Sequence, residues 1–129
     1  MKLQKNLLLI PVVVAMVWGL FGLFAPEALM KLLKTPSESI NPSLISTHMV
    51  LAISQISLGI ISFWMRSLKD KKAMSGAMSV VALAFLLFGL EGVLVNLIVE
   101  GYSWNMFLLI QSIVFIVLAV LFFLKRNPK

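Results

Sequence analysis

The sequence predicts an all-α protein, a four-helix transmembrane bundle with a short interfacial helix between spans one and two. Of the 129 residues, 60% are apolar and only 12% are charged, whereas soluble domains average about 45–50% and about 25%. The apolar residues form four long runs, each near the ~20 residues that an α-helix needs to cross a bilayer. These runs do not alternate apolar with polar residues, as a transmembrane strand does.

The composition also excludes several classes of protein. So few charged side chains cannot cover the surface of a soluble enzyme. The apolar content excludes a disordered tail and a nucleic-acid-binding domain, so we expect no nucleic-acid partner. The chain has no cysteine and one histidine, which argues against a disulfide, a thiol redox centre and a transition-metal site. In this setting the net charge of +6 is typical of basic loops that orient membrane spans.

The chain is expected to be a single transmembrane domain, 1–129, with spans at about 6–25, 43–66, 73–99 and 104–125. The first run is longer than a signal-peptide core and lacks a cleavage site, so we expect a retained span. Within that span Pro11 removes one helical hydrogen bond and predicts a bend. Asn41 suits the N-cap of the second span, and Pro42 suits its first helical position.

Residues 26–34 predict the short interfacial helix on the outer membrane surface. Pro26 suits a first helical turn, and Glu27 and Lys31 are spaced four apart, so they can pair and complement the helix dipole. The apolar side chains of this segment share one side: Leu29, Leu32 and Leu33. We therefore expect this helix to cover the outer mouth of the bundle.

Basic residues are distributed unevenly between the two sides of the predicted membrane. One side carries Lys2, Lys5, Arg66, Lys69, Lys71, Lys72, Lys125, Arg126 and Lys129. The other side carries only Lys31 and Lys34. Because Lys and Arg accumulate in cytoplasmic loops, both termini are expected in the cytoplasm, with the protein in the inner (plasma) membrane.

Glu91 is the polar residue that most needs an explanation. It lies about two helical turns inside the outer end of the third span, between Gly89 and Gly92. An unpaired acid at the centre of a span costs about 2.5–3.5 kcal/mol, so we expect Glu91 to face the interior of the bundle. The two glycines would let a helix backbone or a ligand come close.

Other polar or amphipathic residues lie in the outer halves of the spans. His48, Ala52, Gln55, Gly59 and Ser62 follow helical spacing and predict one stripe along span two. By depth along their helices, five residues are candidates for one ligand-binding pocket: Trp18, His48, Gln55, Glu91 and Gln111. The same glutamines and serines could instead serve only as hydrogen bonds between helices.

Cofactor binding is not predicted by any motif in the chain. His48 could be the sole protein ligand of a haem, and a quinone could occupy an apolar pocket, but neither has further support from the residues. The sequence shows no convincing internal repeat, so it does not suggest an inverted-repeat transporter.

Two segments resemble a known family. Residues 18–27 (WGLFGLFAPE) and 58–64 (LGIISFW), the latter followed by a basic hairpin, are similar to spans one and two of small bacterial four-helix membrane proteins, which include DoxX-like proteins. The resemblance implies a four-span inner-membrane protein. It carries over no catalytic residue.

The function predicted from these residues is that of a non-enzymatic module in the lipid bilayer. It would act as an accessory subunit of a membrane protein, or bind a hydrophobic small molecule in an outer-half polar pocket around Glu91, with self-association left open. The alternative is an intramembrane enzyme or proton-coupled transporter that uses Glu91 with His48. The non-enzymatic hypothesis is favoured because no second acid, nucleophile or metal set accompanies Glu91.

Overall fold

A computed structural model describes residues 1–33, 37–98 and 106–128. Its helices are α1 (Lys2–Leu7), α2 (Leu9–Phe24), α3 (Pro26–Leu32), a 3-10 turn (Ser37–Ser39), α4 (Pro42–Met65), α5 (Lys71–Ile98) and α6 (Met106–Leu124). Every regular element in this part of the chain is helical, which confirms the all-α fold class. The bounds predicted at 34, 99 and 104, and the charges of Lys34 and Lys129, lie outside the described residues.

Four helical stretches within the described residues are long and apolar enough to cross a membrane: Lys2–Phe24, Pro42–Met65, Lys71–Leu94 and Met106–Leu124. They correspond to the four predicted spans. The protein is therefore a multi-pass membrane protein with transmembrane helices.

The chain divides into two compact units. The first hairpin is Leu8–Ser67 and contains α2, α3 and α4. The second hairpin is Leu68–Lys129 together with Met1–Leu7, and it contains α5, α6 and α1. The single domain expected for 1–129 remains a prediction.

The ends of the helices follow from local chemistry. The helix is interrupted by a turn at Leu8, near Pro11, whose ring disfavours a helical carbonyl group at Leu7, four residues earlier. The predicted bend itself stays a prediction. Asn41 Oδ1 accepts a hydrogen bond from the Leu44 N–H at 2.9 Å, and Pro42 begins α4, as predicted. Pro26 begins α3, the predicted short helix.

The first hairpin is held together by glycines of α2 that face α4. A Cβ atom added to Gly19 would lie 2.6 Å from Ile56 Cγ1 and 3.0 Å from the Ala52 carbonyl oxygen. A Cβ atom added to Gly22 would meet Ala52 Cβ at 3.0 Å and Leu29 Cδ2 of α3 at 3.3 Å. Glycine at these two positions lets the helix backbones approach closely.

The second hairpin uses the same kind of glycine contact. A Cβ atom added to Gly89 of α5 would lie 2.7 Å from Ile116 Cγ1 and 3.0 Å from the Ser112 carbonyl oxygen. From Gly89 towards the start of α5, the contact between α5 and α6 is made by aromatic rings. The Phe85 ring lies 5.6 Å from the Phe115 ring and 5.5 Å from the Phe122 ring, centroid to centroid.

The two hairpins are equivalent in packing. In each, the first glycine of a Gly-x-x-Gly pair meets an isoleucine, and both pairs have the form Gly-Leu-x-Gly, within WGLFGL at 18–23 and FGLEGV at 88–93. Each hairpin also ends on an arginine over a phenylalanine ring, Arg66 over Phe63 and Arg126 over Phe123. The two hairpins thus share a pattern of glycine contacts, although the sequence itself shows no convincing internal repeat.

Candidate functional site

Glu91 lies outside the contact between α5 and α6. Gly89 and Gly92 occupy the face of α5 that meets α6. At about 100° per residue, Glu91 is rotated about 100° from Gly92 and about 160° from Gly89. Its side chain is exposed. Within the second hairpin the two glycines, and not Glu91, therefore occupy the face towards α6. The expectation that Glu91 faces the interior of the four-span bundle stays a prediction.

Gln111 lies beside this contact on α6. Its neighbour Ser112 is only 2% exposed and abuts both Gly89 and Gly92. The Gln111 side chain is half-buried. Ser112, a small residue that sequence reasoning did not single out, is the one that lets α5 approach α6.

The polar stripe predicted on span two is a real face of α4. Ala52 meets Gly19 and Gly22, and a Cβ atom added to Gly59 would lie 3.1 Å from Met16 Sδ. This face therefore packs against α2, which confirms that the stripe is a single helix face. His48 and Gln55 lie on the same face and are half-buried.

Trp18 is half-buried in the first hairpin, and its ring stacks on the Phe21 ring at 6.4 Å with an interplanar angle of 17°. Trp18, His48 and Gln55 thus belong to the first hairpin, whereas Glu91 and Gln111 belong to the second. One cavity lined by all five residues remains a prediction.

The two helix contacts differ in chemistry at equivalent positions. The second hairpin places Phe85, Phe115 and Phe122 in its contact, where the first hairpin has Ala15, Gln55 and Ser62. The second contact is therefore aromatic, whereas the first contains polar groups and small side chains.

The described residues contain no group of three or more His, Cys, Asp or Glu side chains that could hold a metal ion. A groove of about 350 Å³ lies on the second hairpin, and none of the five predicted residues lines it. The chain matches no family model, and no curated protein or solved structure matches it.

Proposed function

We propose that this protein is a non-enzymatic accessory module that binds a partner membrane protein through Glu91. The single observation that supports this role is the exposed position of Glu91 on α5. A structural acid would be expected in a helix contact with its hydrogen bonds satisfied. Glu91 instead lies on a face that is free of α6, flanked by the exposed side chains of Leu87 and Leu94.

The carboxyl group of Glu91 indicates which kind of side chain the partner would carry. An unpaired acid facing lipid costs about 2.5–3.5 kcal/mol at the centre of a span, and that cost falls when a hydrogen-bond donor or a cation meets it. No lysine or arginine lies within 73–98 or 106–124. We therefore propose a partner helix that carries a basic or amide side chain at the depth of Glu91.

A proton-coupled transporter is the second candidate, and the equivalence of the two hairpins favours it. Many secondary transporters are built from structural repeats. The two hairpins differ at Glu91, because the corresponding position in the first hairpin is Phe21. In this hypothesis Glu91 carries the proton and His48 assists. Binding of a hydrophobic small molecule belongs instead with the non-enzymatic role, and it stays a prediction from the sequence.

Substitution of Glu91 tests the proposal. We expect Glu91→Gln to weaken co-purification of the partner in mild detergent about ten-fold, because the amide can still form a hydrogen bond but loses the stronger, charge-assisted bond of a carboxylate. Glu91→Leu should abolish co-purification while keeping or raising the thermal stability of the isolated protein, because it removes a charge from an apolar face.

Glu38→Gln is the matched control, because it removes the same charge from an exposed residue outside the spans. Three results contradict the accessory role. The first is co-purification of the partner with Glu91→Leu at the wild-type level. The second is a large loss of thermal stability in that variant. The third is proton flux in vesicles that Glu91→Gln abolishes, which supports the transporter instead.

We further propose that both termini are cytoplasmic and that the protein lies in the inner membrane, with α3 on the outer surface. The native chain has no cysteine, so a single cysteine can be introduced at Ser37 or at Ser67, both of which are exposed. An impermeant thiol reagent added to intact cells should label position 37 and spare position 67. The reverse pattern of labelling contradicts this orientation.

A further inference from the structure

A groove runs along the second hairpin between α5 and α6, in the halves of these helices that lie towards Lys71 and Leu124. Its volume is about 350 Å³. Ala82 and Ala119 line it and are buried, so small side chains form its floor. The exposed side chains of Leu83, Val120 and Phe123 line it as walls. Its surface is almost entirely apolar and open to the surroundings of the hairpin.

A positive charge lies at one end of this groove. The Arg126 guanidinium lies 3.8 Å from the centre of the Phe123 ring, and Phe123 itself lines the groove. On α5, Lys72 precedes the groove-lining Ser79 by about two turns and lies on the same face. The groove therefore runs from a basic end into an apolar channel.

The N-terminal segment adds charge to the same end. Gln4 Nε2 donates to the Lys125 carbonyl oxygen at 2.9 Å, and Ser75 Oγ donates to Asn127 Oδ1 at 2.9 Å. These bonds hold α1, the start of α5 and the end of α6 together. The basic residues gathered there include Lys2, Lys5, Lys71, Lys72, Lys125 and Arg126.

The acidic residue near this end of the groove does not neutralise the positive charge of the basic residues. Asp70 is the only acidic residue in 68–80. Its carboxylate accepts a hydrogen bond from the Ala73 N–H at 2.7 Å and so caps α5. The electrostatic potential at the end of the groove is therefore positive, and it suits an anion that carries an apolar chain.

We propose that this groove binds an anionic phospholipid. One acyl chain lies over Ala82 and Ala119, and the phosphate contacts Arg126 and the neighbouring lysines. The groove extends about 10 Å along α5, from Ser79 to Leu86, which suits part of an acyl chain. In the proposed orientation this lipid belongs to the cytoplasmic leaflet.

The first hairpin differs at the position that corresponds to Ala119. There, Gly59 replaces Ala119, and Met16 Sδ lies 3.1 Å from where a Cβ atom of Gly59 would be. A flexible thioether thus packs against Gly59, whereas Ala119 forms part of the groove floor in the second hairpin. Both hairpins end on an arginine over a phenylalanine ring, but only in the second do the hydrogen bonds of Gln4 and Ser75 gather further basic residues at the end of the groove, so the lipid site is assigned there.

Lipid titration of the purified full chain tests this proposal. Native mass spectrometry in detergent would follow binding of dioleoyl phosphatidylglycerol, dioleoyl phosphatidylcholine and glycerol phosphate. We expect tighter binding of phosphatidylglycerol, with no competition from glycerol phosphate. Equal binding of the two lipids overturns the headgroup assignment. Effective competition by glycerol phosphate shows a free-phosphate site and overturns the role of the acyl chain.

Two variants locate the site. Arg126→Gln should weaken binding of phosphatidylglycerol about five-fold, the usual contribution of one basic residue near anionic lipid. Val120→Trp should fill the groove and remove the bound lipid, and its exposed position leaves the helix contact intact. The controls are Lys31→Gln, which removes the same charge from α3, and Val114→Trp on another face of α6. Wild-type binding by both Arg126→Gln and Val120→Trp overturns the proposal, whatever the role of Glu91.

Discussion

Gly89→Leu is expected to lower the free energy of unfolding by about 3 kcal/mol, the upper part of the usual range for overpacking. The first atom of the new side chain would already lie 2.7 Å from Ile116 Cγ1 and 3.0 Å from the Ser112 carbonyl oxygen. The isoleucine can rotate, but the carbonyl oxygen belongs to the backbone of α6. The two helices must therefore separate. Chemical unfolding in mixed micelles, followed by circular dichroism, measures the loss.

Two further variants make this prediction specific. Gly19→Leu should cost a similar amount in the first hairpin, because Gly19 meets Ile56 and the Ala52 carbonyl oxygen at nearly the same distances. Gly76→Leu is the control, since a Cβ atom there would meet nothing within 4 Å. It should be neutral or stabilise the helix by up to about 1 kcal/mol. Similar losses for Gly76→Leu and Gly89→Leu would show that close approach is not the cause.

Phe85→Ala is expected to destabilise the second hairpin by about 3–5 kcal/mol, the usual cost of removing a buried aromatic side chain. Phe85 is buried, and its ring packs on the rings of Phe115 and Phe122. Its removal leaves a cavity and eliminates two ring contacts. The same unfolding measurement applies.

Phe24→Ala is the control for this loss, because Phe24 is 79% exposed at the end of α2. It should change the free energy of unfolding by less than about 1 kcal/mol, since little packing is lost. If Phe85→Ala were as well tolerated as Phe24→Ala, the aromatic cluster would not be what holds α5 to α6.

The helices could be predicted because the residues that determine them lie close together in the sequence. Apolar runs of sufficient length fixed the four long helices, and Pro42 with Asn41 marked the start of α4. Pro11 marked the break before α2. The face formed by Ala52 and Gly59 followed from helical spacing alone. Each of these inferences uses residues that are near one another in the chain.

The rotation of Glu91 relative to α6 was not predicted, because the sequence analysis relied on depth along the helix, which does not determine which face meets a neighbour. The signal was nevertheless present: two glycines three residues apart mark the contact face, and Glu91 lies between them but off that face.

The equivalence of the hairpins escaped detection because large residues in one contact correspond to small or polar residues in the other. Phe85 takes the position of Ala15, and Phe115 takes that of Gln55. Helix packing in membranes constrains only the few positions where backbones approach, so the shared pattern reduces to glycines and an isoleucine. Those positions are recognisable once the distances are known.

Photo-crosslinking from α5 in native membranes tests the role of Glu91 most directly. A photoreactive analogue at Leu87, an exposed position one turn before Glu91, should form an adduct with a second polypeptide. That adduct should disappear when Glu91→Leu is added, and it should not form from the exposed Val117 of α6. Adducts with lipid alone, or a polypeptide adduct that Glu91→Leu leaves unchanged, would contradict the account.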